Sequence, residues 1–164
     1  MIRQSLMTLC AGILTLLGTA SFAAREEYRF EVSVDIPALG FYVIPAETDW
    51  IHRAQILPWN VSTKSLGGLR KHFDVRHDTS AIEARLESEA YLSNGRDEQN
   101  IYLRVSFADT VLTHETPPRQ VVSAEQARAG GRYVLEIQPI TPAGGYKPGS
   151  YYGNVHLIFN AAAP

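Results

Sequence analysis

Between residues 28 and 36 the chain alternates strictly, with Tyr28, Phe30, Val32, Val34 and Ile36 apolar and Arg29, Glu31, Ser33 and Asp35 polar. A period of two puts the five apolar side chains on one face of an extended strand, whereas on a helix they would scatter. Comparable runs recur at 69–75, 82–86, 101–107, 133–137 and 151–159, and shorter extended candidates lie at 41–44, 56–61 and 111–112. Turn chemistry separates them: Asn94-Gly95 suits a positive-φ turn, Gly67-Gly68 precedes a strand, and Pro142, Gly144-Gly145 and Pro148-Gly149 divide the last two runs. Many short strands with such punctuation predict an all-β sandwich.

One short helix is predicted at 124–129. Ser123 can cap its first turn, Gln126 sits three residues on as the reciprocal partner of a capping box, and Gly130 can close its end. No repeat or low-complexity tract divides the chain. Pro37 is the one sharp boundary, set between the first strand and the rest.

The first residues read differently. Arg3 supplies a positive start, Leu6 to Leu17 form an apolar stretch, and Ser21-Phe22-Ala23 offers small residues where a signal peptidase reads. That apolar stretch, roughly 12 residues, is short of the roughly 20 needed to cross a bilayer. Residues 1–23 are therefore expected to be a signal peptide, residues 24–37 an N-terminal strand and hinge, and residues 38–164 the main domain. The single cysteine, Cys10, falls within the leader. An exported domain without a disulfide must be stabilised by its core or by a partner chain.

Composition and charge exclude several functions. The chain of 164 residues is 45% hydrophobic and 20% charged, with a formal net charge of −2 and both signs interspersed. Nothing in it attracts nucleic acid. The five histidines, at 52, 72, 77, 114 and 156, lack the spacing of zinc ligands, so no metal site is expected. No Gly-x-Ser-x-Gly elbow or Cys-His pair marks an activated nucleophile. Glu83, Glu87 and Glu89 read as solvated strand-face charges, because nothing fixes the separation that a glycosidase pair requires. The glycines are not followed by the helix of a phosphate cradle, so no cofactor is assigned and no enzymatic activity is expected.

The two ends carry the most specific pattern. The mature chain opens with Tyr28-Arg29-Phe30-Glu31-Val32-Ser33-Val34-Asp35 ahead of Pro37. It closes with Pro148-Gly149-Ser150-Tyr151-Tyr152-Gly153-Asn154-Val155-His156-Leu157-Ile158-Phe159. Both resemble the major pilins of the alternate chaperone/usher pathway, the class-five or alpha-type fimbriae of the colonization factor antigen type. The middle of the chain, from Phe41-Tyr42-Val43-Ile44-Pro45 to Leu92-Ser93-Asn94-Gly95-Arg96, resembles a branch of these pilins outside the best-known enteric members. Ile36 stands between Asp35 and Pro37 where better-known members pass directly from Asp to Pro.

The resemblance implies an incomplete immunoglobulin-like sandwich completed by a donor strand from a neighbouring subunit. Tyr28, Phe30, Val32, Val34 and Ile36 would be the donor-strand face and Pro37 the hinge. Tyr151, Gly153, Val155, Leu157 and Phe159 would border the groove and bind the chaperone. The implied partners are identical subunits forming a homopolymer, a periplasmic chaperone, an outer-membrane usher and a tip adhesin. The implied route runs through the periplasm to a fimbria on the cell surface. Two other readings stay open at this point: a self-contained secreted or periplasmic β-sandwich binding domain, and a minor carbohydrate-binding fimbrial adhesin.

Overall fold

A computed structural model describes residues 40–163. The leader, the alternating strand at 28–36 and Pro37 lie outside the described residues. Eleven strands and one α-helix follow in order: β1 (Phe41–Pro45), β2 (Trp59–Asn60), β3 (Ser65–Leu66), β4 (Leu69–His77), β5 (Ile82–Leu86), β6 (Tyr91–Leu92), β7 (Ile101–Phe107), β8 (Thr110–Val111), β9 (Arg119–Val122), α1 (Ala124–Ala129), β10 (Gly131–Pro139) and β11 (Leu157–Ala161).

One sheet runs β1-β4-β10-β7-β6, with β8 also paired to β7; a second runs β11-β5-β9, and β2-β3 form a separate hairpin. Every strand pairing is antiparallel. The alternation foreseen in the sequence sets the faces. In β7, Ile101, Leu103, Val105 and Phe107 are buried while Tyr102 and Arg104 face solvent, and in β5 Ile82, Ala84 and Leu86 are buried. All of these buried side chains except Ile101, with Val75, Val122 and Leu135, form one core between the two sheets.

The two ends of the sandwich differ. At the chain-entry end, the Asp78 amide donates to the Gly40 carbonyl, the Ala162 amide to Ala81 and the Arg128 side chain to the Asp78 carbonyl. At the opposite, hairpin end, the Gly67 amide donates to Pro58, Ile140 to Tyr102, and Ser93 and Tyr152 exchange two backbone hydrogen bonds. Burial loosens between them along β4: Val75 is 0% exposed, Phe73 5%, and Leu69 only half-buried.

Lys71 interrupts the inner face of β4. Its ammonium sits 5.2 Å from the centre of the Trp50 ring, so the stem is covered while the charge rests on the aromatic face.

The helix forms where its capping residues predict. The Gln126 amide donates to Ser123 Oγ at 3.2 Å, the Ser123 amide donates back to Gln126 Oε1 at 3.1 Å, and Ala127 anchors the helix in the core. Gly95 takes φ +87° in the turn after β6, as the Asn-Gly pair predicts.

Several boundaries differ from the pattern reading. The run at 151–159 becomes a strand only at Leu157 and continues to Ala161. Its first part bridges the sheets: Tyr152 pairs with Ser93 beside β6, and the His156 carbonyl accepts from Glu87 after β5. A segment that changes partner sheets within five residues cannot form one ladder. At 56–61 only Trp59 and Asn60 are paired, because Pro58 lacks the amide a ladder needs. At 111–112 the strand is Thr110–Val111. β3, β6 and β9 were not marked by alternation: the first two are only two residues long, and β9 follows Pro117-Pro118 without a polar-apolar period.

Across the outer face, register partners Asp74 and Arg132 form a two-pronged ion pair, with Nε to Oδ1 at 2.8 Å and Nη2 to Oδ2 at 3.0 Å. The hydrogen bonds from Arg132 hold the Asp74 carboxyl below its ordinary value of 3.8. A folded-state value below the unfolded one gives stability that is fully present above the unfolded value and is lost as pH falls through the folded one. Asp74→Asn is therefore expected to lower the melting temperature at neutral pH, with the gap from the parent closing as both are titrated below about pH 4 in thermal melts. Ser123→Ala should cost about 1 kcal/mol at all pH values, read from denaturant midpoints.

Candidate functional site

A groove of about 1290 Å³ opens between the two sheets. Its floor is the loosened part of the core: Phe73 of β4, Leu103 of β7, and Leu135 and Ile137 of β10. Val43 and Pro45 of β1 flank it on one side, Leu157 and Phe159 of β11 on the other. Among the described residues both flanking strands are sheet edges, β1 pairing with β4 and β11 with β5. Among the described residues the outer edge of β11 has no partner strand. An unpaired strand edge beside an apolar trough binds another strand, through main-chain hydrogen bonds and alternate side-chain anchors.

An aromatic cluster stiffens the floor. Phe159 packs edge-on to Phe107 at 4.9 Å, Phe73 meets Phe107 at 5.8 Å, and Trp50 meets Phe73 at 5.8 Å. Offset and perpendicular rings of this kind add to the burial they bring. Because Phe159 contacts the buried rings directly, the β11 edge is anchored to the core.

Two irregular segments wall the groove towards the hairpin end. One links β1 to β2 and contributes Trp50, Ile51, Ile56 and Leu57; the other links β10 to β11 and contributes Tyr146, Tyr151 and Val155. Just beyond the first segment, Trp59 of β2 packs on Tyr146 of the second, the rings 5.4 Å apart at 83°. Hydrogen bonds within the first segment, from Gln55 Nε2 to the Trp50 and Arg53 carbonyls, hold its shape. In the second, Gly153 is required by close approach: a Cβ there would collide with the Tyr91 carbonyl oxygen, and any side chain would push the wall off β6.

The five C-terminal residues singled out in the sequence, Tyr151, Gly153, Val155, Leu157 and Phe159, all line this groove. Leu157 and Phe159 do so from a strand, the other three from the crossing segment. The five N-terminal residues, Tyr28, Phe30, Val32, Val34 and Ile36, and Pro37 lie outside the described residues. Sequence reading did not mark the wall formed by Trp50, Ile51, Ile56 and Leu57. The signal was a cluster of large apolar residues without a period, flanked by polar Asp49 and Gln55.

Among the described residues the groove lining is mainly apolar, with Arg53 and Lys147 as its charged side chains. The histidines are dispersed; His77 Nδ1 accepts from the Ser80 amide at 2.7 Å and shapes the turn after β4, and His156 sits 3.6 Å from Glu87.

A match to the CS1 type fimbrial major subunit family covers residues 26–160. No curated protein matches the sequence. Among solved structures, the CooA pilin subunit from enterotoxigenic Escherichia coli is similar, with a TM-score of 0.52 and 17% sequence identity over 63% of this chain and 75% of that one. That likeness carries the fold, an incomplete pilin sandwich, and the family match carries the role. The chain belongs to the CS1 type fimbrial major subunit family, and it is a structural, non-enzymatic subunit that polymerises into a fimbria on the cell surface.

Proposed function

We propose that the subunits polymerise by donor-strand exchange, residues 28–36 of one copy filling the groove of the next. The open apolar groove beside the unpartnered β11 edge carries this reading. Tyr28, Phe30, Val32, Val34 and Ile36 are the anchors, and Arg29, Glu31, Ser33 and Asp35 face outward; a slip of one residue would bury the charges instead. Burial of five such side chains is worth at most about 8–15 kcal/mol, comparable with the stability of a whole domain.

Strand polarity supports exchange between copies over self-filling. All strand pairs in the domain are antiparallel, and a strand added to β11 in the same sense ends, at Ile36, near the hairpin end of the groove. Gly40, in the domain that follows, is fastened at the chain-entry end by its bond from the Asp78 amide. The nine residues of β4 span the distance between those ends, roughly 26 Å at about 3.3 Å per residue. Residues 37–39 give four Cα steps, at most about 15 Å. An antiparallel occupant is therefore the strand of another copy.

The same groove explains the remaining partners. A periplasmic chaperone lends a strand to β11 before assembly, with Tyr151, Gly153, Val155, Leu157 and Phe159 bordering the contact. An outer-membrane usher exchanges it for the next subunit behind a tip adhesin, and Pro37 stiffens the hinge. A signal peptide over residues 1–23 sends the chain into that route.

Expression of the exported chain with its chaperone is expected to yield SDS-resistant ladders and filaments in electron micrographs. Deletion of residues 24–36 should retain chaperone binding and abolish both. Val32→Arg should cut ladder formation by at least tenfold while leaving the chaperone complex intact. Stable free monomers from the full and the truncated chain alike would mean that the groove is closed from within, and would overturn the reading in favour of a self-contained domain.

A further inference from the structure

The hairpin end exposes apolar side chains outside the groove floor. Ile56 is 90% exposed, Val61 77% and Trp59 47%, all within the short stretch that leads into and forms the β2-β3 hairpin. Isolated exposed apolar residues are ordinary, but three within six positions on an ordered hairpin form a patch.

The hairpin is held rigidly. The Gly67 amide donates to the Pro58 carbonyl at 2.8 Å, the Thr63 amide to Asn60 Oδ1 at 3.0 Å, and the Thr63 and Ser65 hydroxyls meet at 2.7 Å. Lys64 turns the chain with φ +52°, and Trp59 leans on Tyr146. Local bonds thus keep Ile56 and Val61 in water when collapse would hide them.

We infer that this patch is a second contact between successive subunits, covered by the chain-entry end of the copy whose strand fills the groove. The inference rests on the donor-strand reading and follows from chain length. The filling strand leaves the groove at its hairpin end, and residues 37–39 allow at most about 15 Å before Gly40 of the same copy begins its domain. Gly40 is fastened to Asp78, beside the turn at His77–Ser80 and the Ala162 backbone. That end of the donor domain therefore lands within reach of Ile56 and Val61. A second copy is the occupant because the subunit's own chain-entry end lies roughly 26 Å away along β4.

Val61 separates this contact from the groove, since Ile56 and Trp59 line the groove and Val61 does not. The exported chain carries no cysteine, so Val61→Cys can be labelled uniquely with a solvatochromic maleimide. Saturating the labelled full chain with a synthetic peptide of residues 24–36 fills the groove without bringing a neighbouring domain, and the emission should stay that of an exposed dye. Assembly into fibres should shift the emission to the blue and reduce iodide quenching severalfold. An unlabelled variant, Val61→Asp, should still give SDS-resistant ladders but assemble about tenfold more slowly. Fibres with normal ladders, an unshifted dye and parental assembly rates for Val61→Asp would overturn the contact while leaving strand exchange standing. Absence of ladders in the parent would overturn strand exchange, and the contact with it.

Discussion

The outer edge of β11 is where the fold stops short. A sandwich normally closes its core by pairing each strand above the buried side chains, so that apolar cover and backbone hydrogen bonds arrive together. Here β5 supplies one neighbour to β11 and, among the described residues, nothing supplies the other. The missing neighbour removes a ladder and a row of inward side chains at once, and the space left is the groove over Phe73, Leu103 and Ile137. Loosened burial along β4, two edge strands and an apolar trough are three expressions of one absent strand.

The rest of the chain confines that defect. At the chain-entry end Val75 and Ile82 are 0% exposed, as is Phe107 further along the core, and the capped helix seals the end through Ala127. Phe159 ties β11 into this closed half through its edge-on contact with Phe107. The open half is shaped instead by backbone bonds in the wall segments and by the Trp59–Tyr146 contact. A closed half can keep the subunit folded while an open half stays receptive to a strand, and no disulfide is needed if assembly fills every groove.

Much of this was legible in the sequence because strand faces depend on a local period. The runs in β4, β5, β7 and β10 point their apolar residues inward as the alternation requires, and Ser123 with Gln126 forms the helix start that its spacing implies. The walls were not legible. Trp50, Ile51, Ile56 and Leu57 have no period because they belong to no ladder, and their common surface exists only once β1 and β4 bring the loop back over the core. Tyr151–His156 misled in the opposite way: it alternates like a strand, yet its hydrogen-bond partners lie on two different sheets, which no periodicity encodes.

Polarity links the subunit to a filament. The alternating strand precedes a domain that begins at one end of the sandwich, while the groove is walled towards the other. Under the proposed strand exchange, a giving end and a receiving end on opposite sides of one body would make a heterologous contact, and such contacts build open chains unless the rotation between copies closes them into a ring. If strand exchange joins the copies, only three residues separate Ile36 from Gly40, which would leave little freedom in that rotation and bring neighbouring domains together. Under that reading the shape of the fibre would depend on surfaces beside the groove as well as on the strand within it, and the apolar hairpin at the receiving end is placed to set the angle at which each new subunit is added.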